Sequence, residues 1–410
     1  MTKTGSKKAT ENETTNLAKD AIIFIPGLGR DYLDQSVDCI SRKIANSLDR
    51  NAKDIKATYL AVDSPDEEYR EGLKTKKRTI IRKDHDSEQP FTDLYELNYE
   101  DIFMKRYKEK TPIYQVLALG GTLLSNIVRI PYLLRGYAKS RREKFQIFFS
   151  LGILLIMIIY ALLLVTAAAS AIPGLNDIIQ KYFSLEILHK GIIIVTGLGL
   201  FTSLQLKNLI RDAAVDYSCA IDYLSLGERR RAIIGQLSLL VEHIRELYQY
   251  EKIHVISYSF GSLIALDALY PNDEYSCHHD NIDSLVTIGC PFDLVRNCWP
   301  EYFKERICSG NLKRRWLNMY NPVDLLGSNF RNDEKIKEAE TGIEVQSGNQ
   351  KDILMPENLV IDKDLYINGL SLVNLLCLRG LKVHSCYWDP DDKAEISCFD
   401  KIIGRLYPDL

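Results

Sequence analysis

Apolar residues in this chain fall into runs of two lengths, and the two lengths imply two environments. The short runs, at residues 21–25, 55–62, 93–98, 253–257 and 314–320, have strand length. A continuous apolar run closed by turn residues suits a strand buried on both faces. Residues 212–226 and 228–251 carry apolar positions at helical spacing and predict amphipathic helices leading into the strand at 253–257. Residues 1–19, 64–90 and 331–352 are polar, and are expected to form a disordered leader, a surface excursion and a loose loop.

The long runs are of another kind. No charged residue occurs from Phe145 to Asn176, and residues 151–165 are apolar on every face. About twenty such residues cross a bilayer, which predicts a span at about 147–172. A second charge-free run, Gly191 to Leu206, covers about 24 Å as a helix. By borrowing from residues 185–188, with Lys190 and Lys207 snorkelling, it predicts a second span at about 187–206. Residues 113–128 are weaker and read as an interfacial or lid helix. The strand at 21–25 precedes both spans and the strands at 253–257 and 314–320 follow them, so joining one sheet requires an even number of crossings. Arg129, Arg135, Lys139, Arg141, Arg142 and Lys144 precede the first span, Lys207 and Arg211 follow the second, and the loop at 173–190 is nearly neutral. The positive-inside rule therefore predicts a two-span membrane protein with its sheet and both termini cytoplasmic.

Composition narrows the partners. The 410 residues carry a net charge of −3, and no basic stripe interleaved with aromatics points to nucleic acid. Nine scattered cysteines read as reduced thiols rather than a disulfide framework. Cys277-His278-His279 lacks a second cluster at zinc spacing, so neither a metal nor another cofactor is expected.

The chemistry lies in His254-Val255-Ile256-Ser257-Tyr258-Ser259-Phe260-Gly261-Ser262, a strand breaking into a helix with Ser259 at the break. A serine there is also a good helix cap, so its context decides. A nucleophile elbow exposes the serine hydroxyl above a sheet and needs small residues two before and two after it, here Ser257 and Gly261. An acid and then a histidine must follow, each in a loop after a later strand. Asp324 leaves the strand at 314–320 through the turn Asn321-Pro322-Val323, and His384 follows the short apolar run at 380–383. Asp293 is the alternative acid, while Asp267 on the helix after the elbow is expected to point away. His254 and His243 read as structural. An oxyanion hole should come from the loop after an early strand. Pro26-Gly27-Leu28-Gly29 supplies it, with Leu28 N–H as one donor, Gly27 as its neighbouring candidate, and Phe260 N–H as the second.

These segments resemble the α/β-hydrolase superfamily, and within it the intracellular serine esterases and lipases. The resemblance rests on residues 255–262, on Ser284-Leu285-Val286-Thr287-Ile288-Gly289-Cys290-Pro291, on Trp316-Leu317-Asn318 with Asp324, and on His384 with Tyr387-Trp388. Asp222-Tyr223-Leu224-Ser225 and Leu94-Tyr95-Glu96-Leu97 add to it, so that it covers most of 21–99 and 213–407. Ser257 departs from the usual glycine, and Pro26 stands where many members have histidine. The resemblance implies an α/β fold, a mostly parallel sheet flanked by helices, interrupted by a two-helix transmembrane insertion. The expected organisation is a first hydrolase part at 20–110, the membrane insertion at 111–211 and a second part at 212–410. The expected function is hydrolysis of acyl esters, of membrane lipids or an acylated protein, through Ser259, His384 and Asp324. An acyltransferase, and a membrane effector or binding protein whose hairpin acts in the bilayer, are the alternatives.

Overall fold

A computed structural model describes residues 18–28, 36–53, 57–84, 87–99, 102–103, 219–225, 227–271, 281–299, 301–303, 306–308, 314–322, 324, 326–331, 341–347, 350–361, 383–384, 387–388 and 397–410. The leader at 1–17, the lid helix, both expected spans and Cys277-His278-His279 lie outside them. Among the described residues no helix is long and apolar enough to cross a membrane.

The chain is α/β, built on an eight-stranded sheet. In chain order its strands are β1 (Asp20–Ile25), β2 (Thr58–Asp63), β3 (Lys77–Asp84), β4 (Ser87–Glu96), β5 (Lys252–Tyr258), β6 (Ser284–Ile288), β7 (Arg315–Tyr320) and β8 (Glu357–Val360). Across the sheet they run β2-β3-β4-β1-β5-β6-β7-β8. The six strands from β4 to β8 are mutually parallel, and the β2–β3 pair is antiparallel at one edge. Every residue of β1 and β6 is buried, so alternation cannot show in their sequences: both faces meet helices. Ala21, Ile23, Ile25, Val255 and Leu285 pack into the core on one face with α2 (Glu228–Leu247) and α3 (Phe260–Leu269). Ile22, Phe24, Ile256, Val286 and Met319 pack into the other with α1 (Val37–Asn51) and a C-terminal helix, Cys398–Leu406.

Two expectations are corrected. Residues 64–90 do not form a surface excursion: they contain β3 and the start of β4, preceded by a hairpin of Glu67–Arg70 and Leu73–Thr75. Their charges pair instead of solvating the chain. Lys77 meets Glu67 at 2.9 Å and Asp93 at 3.3 Å, and Lys83 meets Glu88 at 2.7 Å. Residues 331–352 are likewise not all loop, since Ile343–Ser347 pairs with Gln350–Ile353 and with Arg306–Cys308 in a small second sheet.

Asp267, on α3, points away from Ser259 as expected and anchors its helix. It is buried among the hydroxyls of Tyr223 (2.8 Å) and Tyr302 and the fully buried Arg306 guanidinium. Asp267→Ala leaves a buried cation without its partner, and is expected to cost about 3–5 kcal/mol. Chemical denaturation of the variant against the wild type measures this, and a loss of under about 1 kcal/mol would show that the network carries little of the fold.

Candidate active site

Sheet order decides what can meet. Ser257 on β5 lies beside Ile25 on β1, so the loop after β1 and the turn after β5 leave the sheet side by side. At that turn Ser259 has φ 51° and ψ −123°, a conformation that L residues avoid. Backbone strain of this kind costs about 1–3 kcal/mol and persists only where surrounding structure enforces it. Here Ser259 N–H donates to the Ile288 carbonyl at 2.8 Å, tying the turn to β6. A Cβ on Gly261 would collide with the carbonyl oxygens of Ile25 and Pro26, so glycine lets α3 seat against the end of β1. Ser257 replaces the usual small residue without an orphaned hydroxyl, because its Oγ donates to the Val286 carbonyl at 2.9 Å.

The ends of β5 and β7 bring Ser259 and Asp324 together, and His384, in a helical turn rather than the expected loop, completes one relay with them. His384 Nε2 lies 2.7 Å from Ser259 Oγ, and His384 Nδ1 lies 2.9 Å from Asp324 Oδ2. Because an ionised carboxylate only accepts, the proton of a neutral ring sits on Nδ1 and Nε2 faces the serine as an acceptor. The ring stacks on Tyr258 with centroids 5.4 Å apart, and Tyr258 O–H donates to the His384 carbonyl at 2.7 Å. Asp324 is 1% exposed. Burial pushes its carboxyl up, but the His384 ring, the hydrogen bonds of His384 and Tyr387, and the Leu326 N–H outweigh it and hold the group below the usual carboxylate range.

Phe260 directly follows Ser259, and Leu28 lies in the loop after β1, the strand beside β5. Leu28 is half-buried three residues beyond the end of β1, and Tyr99 O–H holds the Pro26 carbonyl of the same loop at 2.7 Å. Phe260 is the first residue of α3, where backbone N–H groups have no intrahelical acceptor. Its ring is fixed by Tyr223 at 5.2 Å and Phe103 at 6.2 Å.

The alternative acid is engaged elsewhere. Asp293 lies in the first turn of the short helix Phe292–Cys298, its backbone N–H donates to Ser328 Oγ at 2.7 Å, and its carboxylate faces Arg296 at 3.7 Å. His254 is buried at the start of β5, with Nε2 3.9 Å from Asp20, and His243 Nε2 lies 3.5 Å from Glu67. Neither histidine touches Ser259. Among the described residues no group of three or more His, Cys, Asp or Glu side chains is placed to hold a metal.

Three contributors escaped sequence reasoning. Tyr387 O–H donates to Asp324 Oδ2 at 2.6 Å. Gly289, at φ +59°, has no room for a Cβ against the rings of Tyr387 and His384, and Gly327 has none against Asp324 and Tyr387. Glycines in the loops after β6 and β7 were the available signal, but glycine in a loop does not say which side chain crowds it. Compared with protein-family models, curated proteins and solved structures, the chain gives no match.

Proposed function

We propose that this chain is a membrane-anchored serine hydrolase of the α/β-hydrolase superfamily, with its active site on the cytoplasmic face, cleaving acyl esters of membrane lipids. The observation that carries the reading is the relay itself: a strained serine, an imidazole 2.7 Å from it and a buried carboxylate 2.9 Å behind the imidazole. A serine that only capped a helix would not need a histidine and a buried acid aligned behind it.

In this mechanism Ser259 Oγ attacks the acyl carbonyl while His384 Nε2 takes the hydroxyl proton. The tetrahedral oxyanion is held by the Leu28 and Phe260 N–H groups, aided by the positive end of α3. His384 returns the proton to the departing alcohol, leaving the acyl group on Ser259. Water then attacks this ester with His384 again acting as base, and the carboxylic acid is released. Asp324 holds the ring in the tautomer that both half-reactions need and balances its charge when protonated. The substrate class follows from the charge-free runs at 145–176 and 191–206, which would keep the sheet beside lipid.

The test is covalent. A fluorophosphonate probe should modify the purified full-length protein, and the adduct should map to the peptide containing Ser259. Labelling that persists unchanged in Ser259→Ala would overturn the assignment.

A further inference from the structure

We propose that Tyr387 is a positioning residue of this relay: its hydroxyl tempers the Asp324 carboxylate, so that His384 is released from its proton at a lower pH than the carboxylate alone would permit. The inference rests on the hydrolase reading and deepens it. Asp324 accepts hydrogen bonds on both of its oxygens. Oδ1 takes the Leu326 N–H at 2.9 Å, while Oδ2 takes both His384 Nδ1 at 2.9 Å and Tyr387 O–H at 2.6 Å. The phenol therefore competes with the imidazole for the same oxygen. A donor on that oxygen withdraws charge from it and weakens its hold on a protonated ring.

Tyr387 is held in place for this contact. It is buried, and its own oxygen accepts the Asn321 N–H at 3.1 Å, which fixes the hydroxyl proton toward Asp324. Burial, and then the adjacent carboxylate, push the phenol well above its usual range, which keeps it a donor. Gly327 leaves space for the pair, since a Cβ there would sit 2.7 Å from the Tyr387 hydroxyl. Among the described residues, the other neighbours of the His384 ring include Ser259 at Nε2, the stacked Tyr258, Gly289, and the edge of Tyr387 itself at 6.2 Å. The charge in contact with the ring is that of Asp324. Removing the phenol hydroxyl thus alters the ring chiefly through the carboxylate.

The experiment is the pH dependence of kcat/KM on a short-chain ester for the full-length wild type, for Tyr387→Phe, and for a form carrying 3-fluorotyrosine at 387. Phenylalanine keeps the ring packing and loses the donor, so the acidic limb of the profile should move up by about half a unit or more. The plateau should change by less than about tenfold, because nucleophile and oxyanion donors are untouched. Fluorotyrosine is a stronger donor and should move the limb down. Opposed shifts support the role, and a purely structural hydroxyl would move stability without moving the limb in either direction. An acidic limb that stays in place in both variants overturns the inference while leaving the hydrolase reading intact. A wild type that neither turns over esters nor takes the fluorophosphonate overturns both.

Discussion

Ser259→Ala is expected to lower kcat on acyl esters by roughly 10⁵- to 10⁶-fold while leaving the protein folded. In the proposed mechanism the hydroxyl bonds to the acyl carbon and gives its proton to His384 Nε2, which sits 2.7 Å away. Residual turnover would come from the oxyanion donors acting on water. Stability should move in an informative direction. Alanine retains the Cβ at φ 51°, whereas Ser259→Gly removes both the hydroxyl and the Cβ strain. The glycine form is therefore expected to melt above both wild type and alanine form, by a difference worth about 1 kcal/mol, as fits a site where strain is retained for function. Thermal melts and initial rates on the three purified proteins check both statements. A Ser259→Ala enzyme within tenfold of wild type would sink the nucleophile assignment. The same variant separates a hydrolase from a membrane effector. If the cellular phenotype survives Ser259→Ala and disappears on deleting 145–206, the charge-free segments carry the function and the sheet only supports it.

The parts of the fold that were legible in sequence are those whose neighbours are all apolar. β1 and β5 stand out as unbroken runs because helices cover both their faces. β3 and the first half of β4 did not, although both lie inside the sheet, since they carry charges whose partners sit on neighbouring elements: Arg78 on β3 pairs with Asp63 on β2 at 3.1 Å and with Asp38 of α1. Read singly, those residues look solvated. Read as cross-strand pairs, they are sheet. β8 and the C-terminal helix were missed for a related reason. β8 is four half-buried residues, and the helix is announced by a capping box at Ser397 and Asp400 rather than by length. At the site, Leu28, Ser259 and Asp324 were readable because they follow the ends of β1, β5 and β7, and parallel strands put their ends together, while His384 was readable from its place in the chain order. The Tyr387 hydroxyl was not, because its partner lies 63 residues away and no spacing rule connects a phenol to a carboxylate.

Asp324→Asn is expected to reduce kcat about 10⁴-fold near neutral pH with little change in KM. The amide is nearly the carboxylate's size, but it can present an NH₂ to His384 Nδ1, which then becomes an acceptor. The ring proton moves to Nε2 and points at Ser259 Oγ, so the base is occupied before the reaction starts. Substrate contacts are unchanged, which is why the loss appears in kcat. The same substitution has a pH signature in stability. In the native protein the Asp324 carboxyl is held below its usual range: burial acts upward, and His384, Tyr387 and Leu326 outweigh it. The folded state therefore binds fewer protons than the unfolded one across the carboxylate range, and stability from this group is fully present above about pH 4 and lost as pH falls through the lowered value. The substituted amide cannot titrate, so the gap in Tm between wild type and variant should be widest near pH 7 and close as the solution is acidified. Melts at pH 7, 5 and 3 follow the gap, and a single-turnover fluorophosphonate assay follows the chemistry. An unaltered gap together with near-normal labelling would remove Asp324 from the relay. Asp293, which lies after the strand beside the elbow, would then be the acid to replace.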